Sequence, residues 1–162
     1  MPQKAFQDCY PEELSHCYGC GKNNPDGHQL KSYWEGDETV ARFLPDNRFT
    51  AIPGYVYGGL VASLIDCHGT GSAAAAAYRA AGREMGSEPS LRFVTASLKV
   101  DYLAPTPQNV ELVLRGTIAE VKQRKVVVEI TLSAKDKVCA KGHVIAVLMP
   151  ENMLPKNANQ AG

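Results

Sequence analysis

The sequence lacks net charge: seventeen Lys and Arg are matched by seventeen Asp and Glu. With no global field to recruit nucleic acid or an anionic membrane surface, any binding of anions has to be local. It also lacks an apolar run as long as a membrane span, and its opening residues, MPQKAFQDCYPEELSHCYGC, lack a charged segment followed by an apolar core. A soluble, cytoplasmic protein with no nucleic-acid and no membrane partner is expected. An even, regularly spaced set of cysteines is missing too. The five present, Cys9, Cys17, Cys20, Cys67 and Cys139, are odd in number and unevenly placed, so reduced thiols are expected rather than a secreted disulfide framework. At 162 residues the chain can bury a core as one domain without such staples.

Residues 1–29 are rich in turn formers, above all from Gly19 to Gly27, and read as an irregular lead-in. Two short strands are expected near 30–35 and 38–44, followed by a loop from Pro45 to Gly54. From Tyr57 to Tyr78 the chain reads as one helix whose only acidic or basic side chains are Asp66 and His68. A helix apolar on nearly every side has to be enclosed. Four strand-like runs that follow, 91–103, 110–121, 126–134 and 138–148, are dense in Val, Leu and Ile and supply the enclosing material. Their short links favour antiparallel neighbours. The expected fold is therefore α+β, an antiparallel sheet wrapped around one long central helix over residues 30–149. From 150 to 162 the periodicity is gone and a loose tail is expected.

Gly58 and Gly59 open the helix, where backbone N–H groups have no partner within it. With the helix dipole behind them and no Cβ in the way, these donors suit a carbonyl oxygen that turns into an oxyanion. The same glycines would also serve a tight turn or close packing. Asp66 is the more informative residue, because a carboxylate amid an apolar helix is costly unless paired or used. It lies seven and eight residues beyond the glycines, about 10–12 Å along the axis. Donors and carboxylate cannot flank one carbonyl carbon within one chain, so a common substrate requires two protomers with antiparallel helices. Thr95 is a further candidate to steady Asp66. Strict alternation puts it on one face of its strand with Ser97, Lys99 and Asp101, opposite Val94, Ala96, Leu98, Val100 and Tyr102. Cys17-Tyr18-Gly19-Cys20 is half of a tetrahedral zinc site, with His16 and Cys9 nearby but no second C-x-x-C; a local structural role is expected and no metal is assigned. His68, two residues past Asp66, belongs to another face of the helix.

The stretch Pro53-Gly54-Tyr55-Val56-Tyr57-Gly58-Gly59-Leu60-Val61-Ala62-Ser63-Leu64-Ile65-Asp66 resembles the signature of the hotdog-fold thioesterase superfamily, closest to its PaaI-like branch and the mammalian thioesterase superfamily members. Gly58, Gly59 and Asp66 match its His-Gly-Gly and the acidic residue nine positions after the His. Val94-Thr95-Ala96-Ser97-Leu98-Lys99-Val100-Asp101-Tyr102 is similar to the strand after the helix, where a Ser or Thr seven residues before the Tyr assists catalysis; that position is Thr95. The resemblance implies an acyl-CoA thioesterase, a homodimer or homotetramer, with Asp66, Gly58, Gly59, Tyr57 and Thr95 at the catalytic site. It implies no required cofactor, the coenzyme A moiety being part of the substrate. Lys99, Arg124 and Lys125, beside Lys122, Arg115 and Lys141, are the candidates to meet its phosphates. Two positions depart from the family: Tyr57 stands where the His is usual, and Ala51 where some relatives carry Asn. A phenol donates one hydrogen bond but does not titrate near neutral pH. The alternatives are an acyl-CoA binding module without turnover and, ranked lower, a hotdog enoyl-CoA hydratase, whose His is missing from Asp46-Asn47-Arg48.

Overall fold

A computed structural model describes residues 2–155. Six strands form one antiparallel sheet: β1 (Ser32–Glu35), β2 (Glu38–Phe43), β3 (Phe93–Tyr102), β4 (Leu112–Val121), β5 (Lys125–Ala134) and β6 (Lys137–Leu148), in the order β1-β2-β4-β5-β6-β3. Between β2 and β3 runs the single long helix α1 (Gly58–Ala80), lying on one face of the sheet against β3, β4, β5 and β6. This is the expected architecture, with β1 starting two residues late and the helix running two residues past Tyr78. The tail expected from 150 holds one short turn at Glu151–Met153 and otherwise lies outside the described residues from 156 onward.

Helix α1 begins after Tyr57, whose extended backbone takes the cap position. It ends at Ala80, and Gly82 just beyond, with φ +65, closes the cap: the Gly82 N–H donates to Arg79 O at 3.0 Å and the Arg83 N–H to Tyr78 O at 2.9 Å. That pair of bonds satisfies the last carbonyls in a left-handed cap that glycine adopts without strain. Every residue from Cys67 to Ala76 is buried, as an all-apolar helix demands. Small residues set how closely the sheet approaches. A Cβ on Gly142 of β6 would stand 2.3 Å from Ile65 Cγ2, and one on Gly69 of the helix 2.7 Å from Val144 Cγ2.

The lead-in is irregular, as expected, yet it is part of the core. Ala5, Phe6, Gln7, Tyr10, Ser15 and Cys20 are buried, and the segment covers the side of α1 turned away from the sheet. A polar chain crosses this otherwise apolar interior. Gln7 Nε2 donates to Ser32 Oγ at 3.0 Å; Ser32 Oγ meets His68 Nδ1 at 2.8 Å; His68 Nε2 meets Thr39 Oγ1 at 3.1 Å; and Thr39 Oγ1 meets Ser72 Oγ at 2.7 Å. All five side chains are fully buried. Burial lowers His68 to about 4, so its ring is neutral near pH 7 and presents one donor and one acceptor, matching the hydroxyls on either side.

Because this chain ties lead-in, β1, β2 and helix together, His68→Leu should keep the volume while leaving the Ser32 and Thr39 hydroxyls short of a partner. The expected loss is about 2–4 kcal/mol, read as a lower urea midpoint at unchanged slope. An unchanged midpoint would remove the network from the list of stabilising features.

Candidate active site

Asp66 projects from the half of α1 that neither sheet nor lead-in covers. Gly58 and Gly59 are exposed, and Ala62, Ser63 and Asp66 are half-buried. At three- and four-residue spacing these five positions form one open stripe down the N-terminal half of the helix. His68 lies on the buried side in its own network and is not paired with Asp66.

Beside the stripe runs β3, one of the two edge strands of the sheet. The Thr95 hydroxyl donates to Asp66 Oδ1, so carboxylate and threonine meet as expected. The face assigned to Thr95 needs correction. The register against β6 shifts between Thr95 and Ser97, so Ala96 is an extra residue in a β-bulge. Thr95 stands opposite the buried Ala146, Leu98 opposite the buried Val144, Val100 opposite Gly142 and Tyr102 opposite the buried Ala140. Residues directly opposite share a face, so Thr95 points toward the helix with Leu98, Val100 and Tyr102. Strict alternation would place Thr95 on the far face, out of reach of Asp66.

At the helix start the Leu60 N–H is taken by Tyr57 O at 3.2 Å, whereas among the described residues nothing accepts from the N–H groups of Gly58 and Gly59. Two tyrosine rings explain the glycines from the packing side. A Cβ on Gly59 would fall 2.5 Å from Tyr57 Cε2, and one on Gly58 3.2 Å from Tyr102 Oη, which donates to Gly58 O at 2.7 Å. The glycines thus serve close packing and leave two free donors. Tyr102 is the residue that sequence reasoning used only as a spacing marker; its hydroxyl fastens the helix start to the far end of β3.

Two clefts open here. One, about 330 Å³, is lined by Val56, Gly58, Val61, Tyr102, Leu103 and Thr106, with polar and apolar surface in equal measure. The other, about 590 Å³, lies beyond Tyr57 and carries His28, Asp46, Arg48 and Phe49. Burial lowers the His28 pKa from its ordinary value. Asp46 accepts from the Arg48 backbone at 2.9 Å and pairs with its guanidinium at 3.0 Å, an arrangement that engages both groups with each other.

Within one protomer the basic candidates stay away from Asp66. Lys99 shares a cross-strand row with His143 and Glu129, which bond to each other on the outer face of the sheet, and it pairs with Asp101 at 3.6 Å. Lys125 shares an outer-face row with Val147 and Val94 and pairs with Glu120 at 3.2 Å, as Lys122 does at 3.1 Å. Arg124 is exposed at the same hairpin, in a cleft with Leu14, Arg92 and Leu148.

Against the opposite side of the helix, Cys17, Cys20 and Cys67 bring their sulfurs within 4.8 Å of one another. Hydrogen bonds from the Cys20 and Cys67 thiols hold Cys17 well below the usual thiol range, and the bond to Cys17 pushes Cys20 up to about 12. The C-x-x-C pair was legible in the sequence, but its third member lies fifty residues away and only the fold reveals it.

Comparison with known proteins identifies the family and the fold. A family model described as Thioesterase superfamily matches residues 53–141. A thioesterase superfamily protein from Shewanella loihica PV-4 is 56% identical, covers 89% of this chain and 99% of its own, and superposes with a TM-score of 0.68. A hypothetical thioesterase from Streptococcus pneumoniae TIGR4, solved with coenzyme A, shares 14% identity over 74% of this chain and 85% of its own, with a TM-score of 0.60. A phenylacetic acid degradation-related protein from Ralstonia eutropha JMP134, described as a putative thioesterase, shares 17% identity over 75% and 86%, with a TM-score of 0.59. No curated protein matches the sequence. The long helix on its antiparallel sheet is the hotdog fold, and the chain belongs to the thioesterase superfamily.

Proposed function

We propose that the protein hydrolyses acyl-CoA thioesters at a site formed by two protomers. The observation that carries the reading is a half-buried carboxylate, Asp66, on the open stripe of an apolar helix, its Oδ1 fixed by Thr95 and the same stripe ending in the free N–H groups of Gly58 and Gly59. Those donors, at the positive end of a 23-residue helix, match the needs of a thioester oxygen that gains charge as its carbon is attacked. Asp66 of the other protomer approaches from the carbon side. One route has it take a proton from water as the hydroxide adds; the other has a carboxylate oxygen add directly to give an anhydride that water then opens. In both, the C–S bond breaks, the electron pair leaves on sulfur, and the thiolate regains a proton as coenzyme A departs. The Thr95 bond occupies one carboxylate oxygen and leaves the other for this work.

Support for two protomers comes from the same surfaces. β3 is a ten-residue edge strand with exposed Leu98 and Tyr102, and an uncovered edge of that length invites pairing with another chain. The helix stripe lies alongside it. Two-fold pairing through β3 would cover both and carry Asp66 of each chain toward the glycines of the other. Coenzyme A as the carrier is supported by the Streptococcus protein of the same fold, and the cleft beside Gly58 offers Val56, Val61 and Leu103 to an acyl chain. A binding module without turnover is the second reading. It is favoured by Tyr57, whose ring leans over Gly59 where the family's His is usual.

Asp66→Asn should fold and assemble normally, bind a non-hydrolysable acyl-CoA analogue, and lose turnover by a factor on the order of 10²–10³ or more, the scale set by removing one oxyanion donor. Tyr57→Phe should fall much less, since the backbone donors remain. Hydrolysis of a panel of acyl-CoAs checks both. Near-parental rates in Asp66→Asn would refute its catalytic role, and a parent that binds but cleaves none of the panel would establish the binding module.

The shared site has its own test. Asp66→Asn and Gly59→Val, each inactive alone, are co-expressed. Heterodimers then carry one site with both lesions and one with neither, and activity should recover to about a quarter of the parent by random assortment. Failure to recover, with heterodimers demonstrated by mass, would place donors and carboxylate in one chain.

A further inference from the structure

We propose that Cys17, Cys20 and Cys67 form a zinc site that clamps the lead-in to the central helix one residue beyond Asp66. Their sulfurs lie within 4.8 Å of one another, and the Cys17 and Cys67 sulfurs stand 3.8 Å apart. Thiolates about 2.3 Å from a tetrahedral zinc are separated by roughly 3.8 Å, so the observed spacing needs little adjustment to take the ion. Soft sulfur donors select zinc over magnesium or calcium.

The surrounding backbone is shaped for those sulfurs. Cys17-Tyr18-Gly19-Cys20-Gly21 forms a tight turn in which the Gly21 N–H donates to Cys17 O at 2.7 Å. A Cβ on Gly19 would lie 2.2 Å from Cys67 Sγ, so only glycine admits the helix thiol to this position. On Gly21 it would collide with Cys17 N at 2.5 Å and Ser15 O at 2.6 Å.

A second observation points to an occupant. Among the described residues, Tyr10 Oη is the one buried side-chain oxygen or nitrogen without a hydrogen-bond partner, and Tyr10 is 6% exposed. The hydroxyl lies 3.5 Å from where a Cβ on Gly71 would stand, one helical turn beyond Cys67, and the ring packs in the same cluster as Cys20 and Cys67. An orphaned buried hydroxyl is costly, and a zinc-bound water would give it a partner. Three thiolates and zinc carry one negative charge, and the Arg92 guanidinium lies 4.5 Å over the Tyr10 ring to balance it. Cys17 is half-buried and gives the ion a route in, while Cys9 and Cys139 lie outside the cluster.

Metal content decides the matter, independently of any thioesterase activity. Full-length chain without a histidine tag, purified under a phosphine reductant from zinc-supplemented cells, should hold about one zinc per chain. Cys67→Ser should hold almost none, and Cys9→Ser the full amount. If Cys67→Ser fails to fold, titration of the folded parent with an organomercurial replaces it: zinc should leave in step with three thiols. Cobalt in place of zinc should give sulfur-to-metal charge-transfer absorption. A parent that stays metal-free after dialysis against zinc, zinc retained by Cys67→Ser, zinc released without loss of thiols, copper in its place, or a Cys17–Cys67 disulfide would each overturn the proposal.

Discussion

Between Cys67 and Ala76 helix α1 offers water nothing, and ten consecutive buried residues can be accommodated only if the molecule closes on the helix from opposite sides. The sheet supplies one side, brought near by Gly142 and Gly69, where a methyl group would already collide. The lead-in supplies the other, with Phe6, Tyr10 and Cys20 buried against the core. Enclosure carries a polar cost, which the Gln7, Ser32, His68, Thr39 and Ser72 chain answers group by group. The interior is therefore apolar by volume and cross-linked by hydrogen bonds at the place where lead-in, β1, β2 and helix meet.

Enclosure stops at the N-terminal half of the helix, and the candidate chemistry lies in that gap. Asp66 tolerates partial burial because a hydroxyl faces it, and that hydroxyl faces it only because Ala96 is an extra residue in β3. A bulge is a local cost in ladder hydrogen bonds. Here it turns Thr95 to the helix side while Leu98, Val100 and Tyr102 keep theirs, so one irregularity serves both the core and the carboxylate. Tyr102 then returns from the end of the same strand to hold Gly58. Edge strand and helix stripe are thus fastened at both ends by single hydrogen bonds.

Much of this was legible in the sequence. The helix and the sheet around it follow from an apolar stretch with one carboxylate and the strand-like runs after it, and the Asp66–Thr95 pair from the family resemblance. The bulge did not follow, because alternation assumes an unbroken register and Ala96 carries no mark of its own. His68 could be separated from Asp66 by helical geometry, but its two partners, Ser32 and Thr39, and the Gln7 and Ser72 that complete the chain come from segments up to sixty-one residues distant, from Gln7 to His68. The third thiol was invisible for the same reason: Cys67 reads as one more small apolar residue in a buried helix until Gly19 is laid against it. The basic residues were visible in the sequence without being informative, since Lys99 and Lys125 find acidic neighbours on the outer face.

The helix is also where the proposals meet. Rotation of α1 about its axis by a single residue, about 100°, would carry Asp66 away from Thr95 and the open stripe. Three sets of contacts oppose that rotation: Ile65 seated at Gly142, His68 held between Ser32 and Thr39, and Cys67 set against Gly19. They involve the position before Asp66 and the two after it, two turned toward the sheet and one toward the lead-in. A carboxylate that must meet a carbonyl held by another protomer has to be fixed within a fraction of an ångström. Loop or surface placement would not give that, whereas a residue bracketed by packed neighbours on a buried helix inherits the rigidity of the core. In this fold the precision of the candidate site comes from residues that never touch substrate.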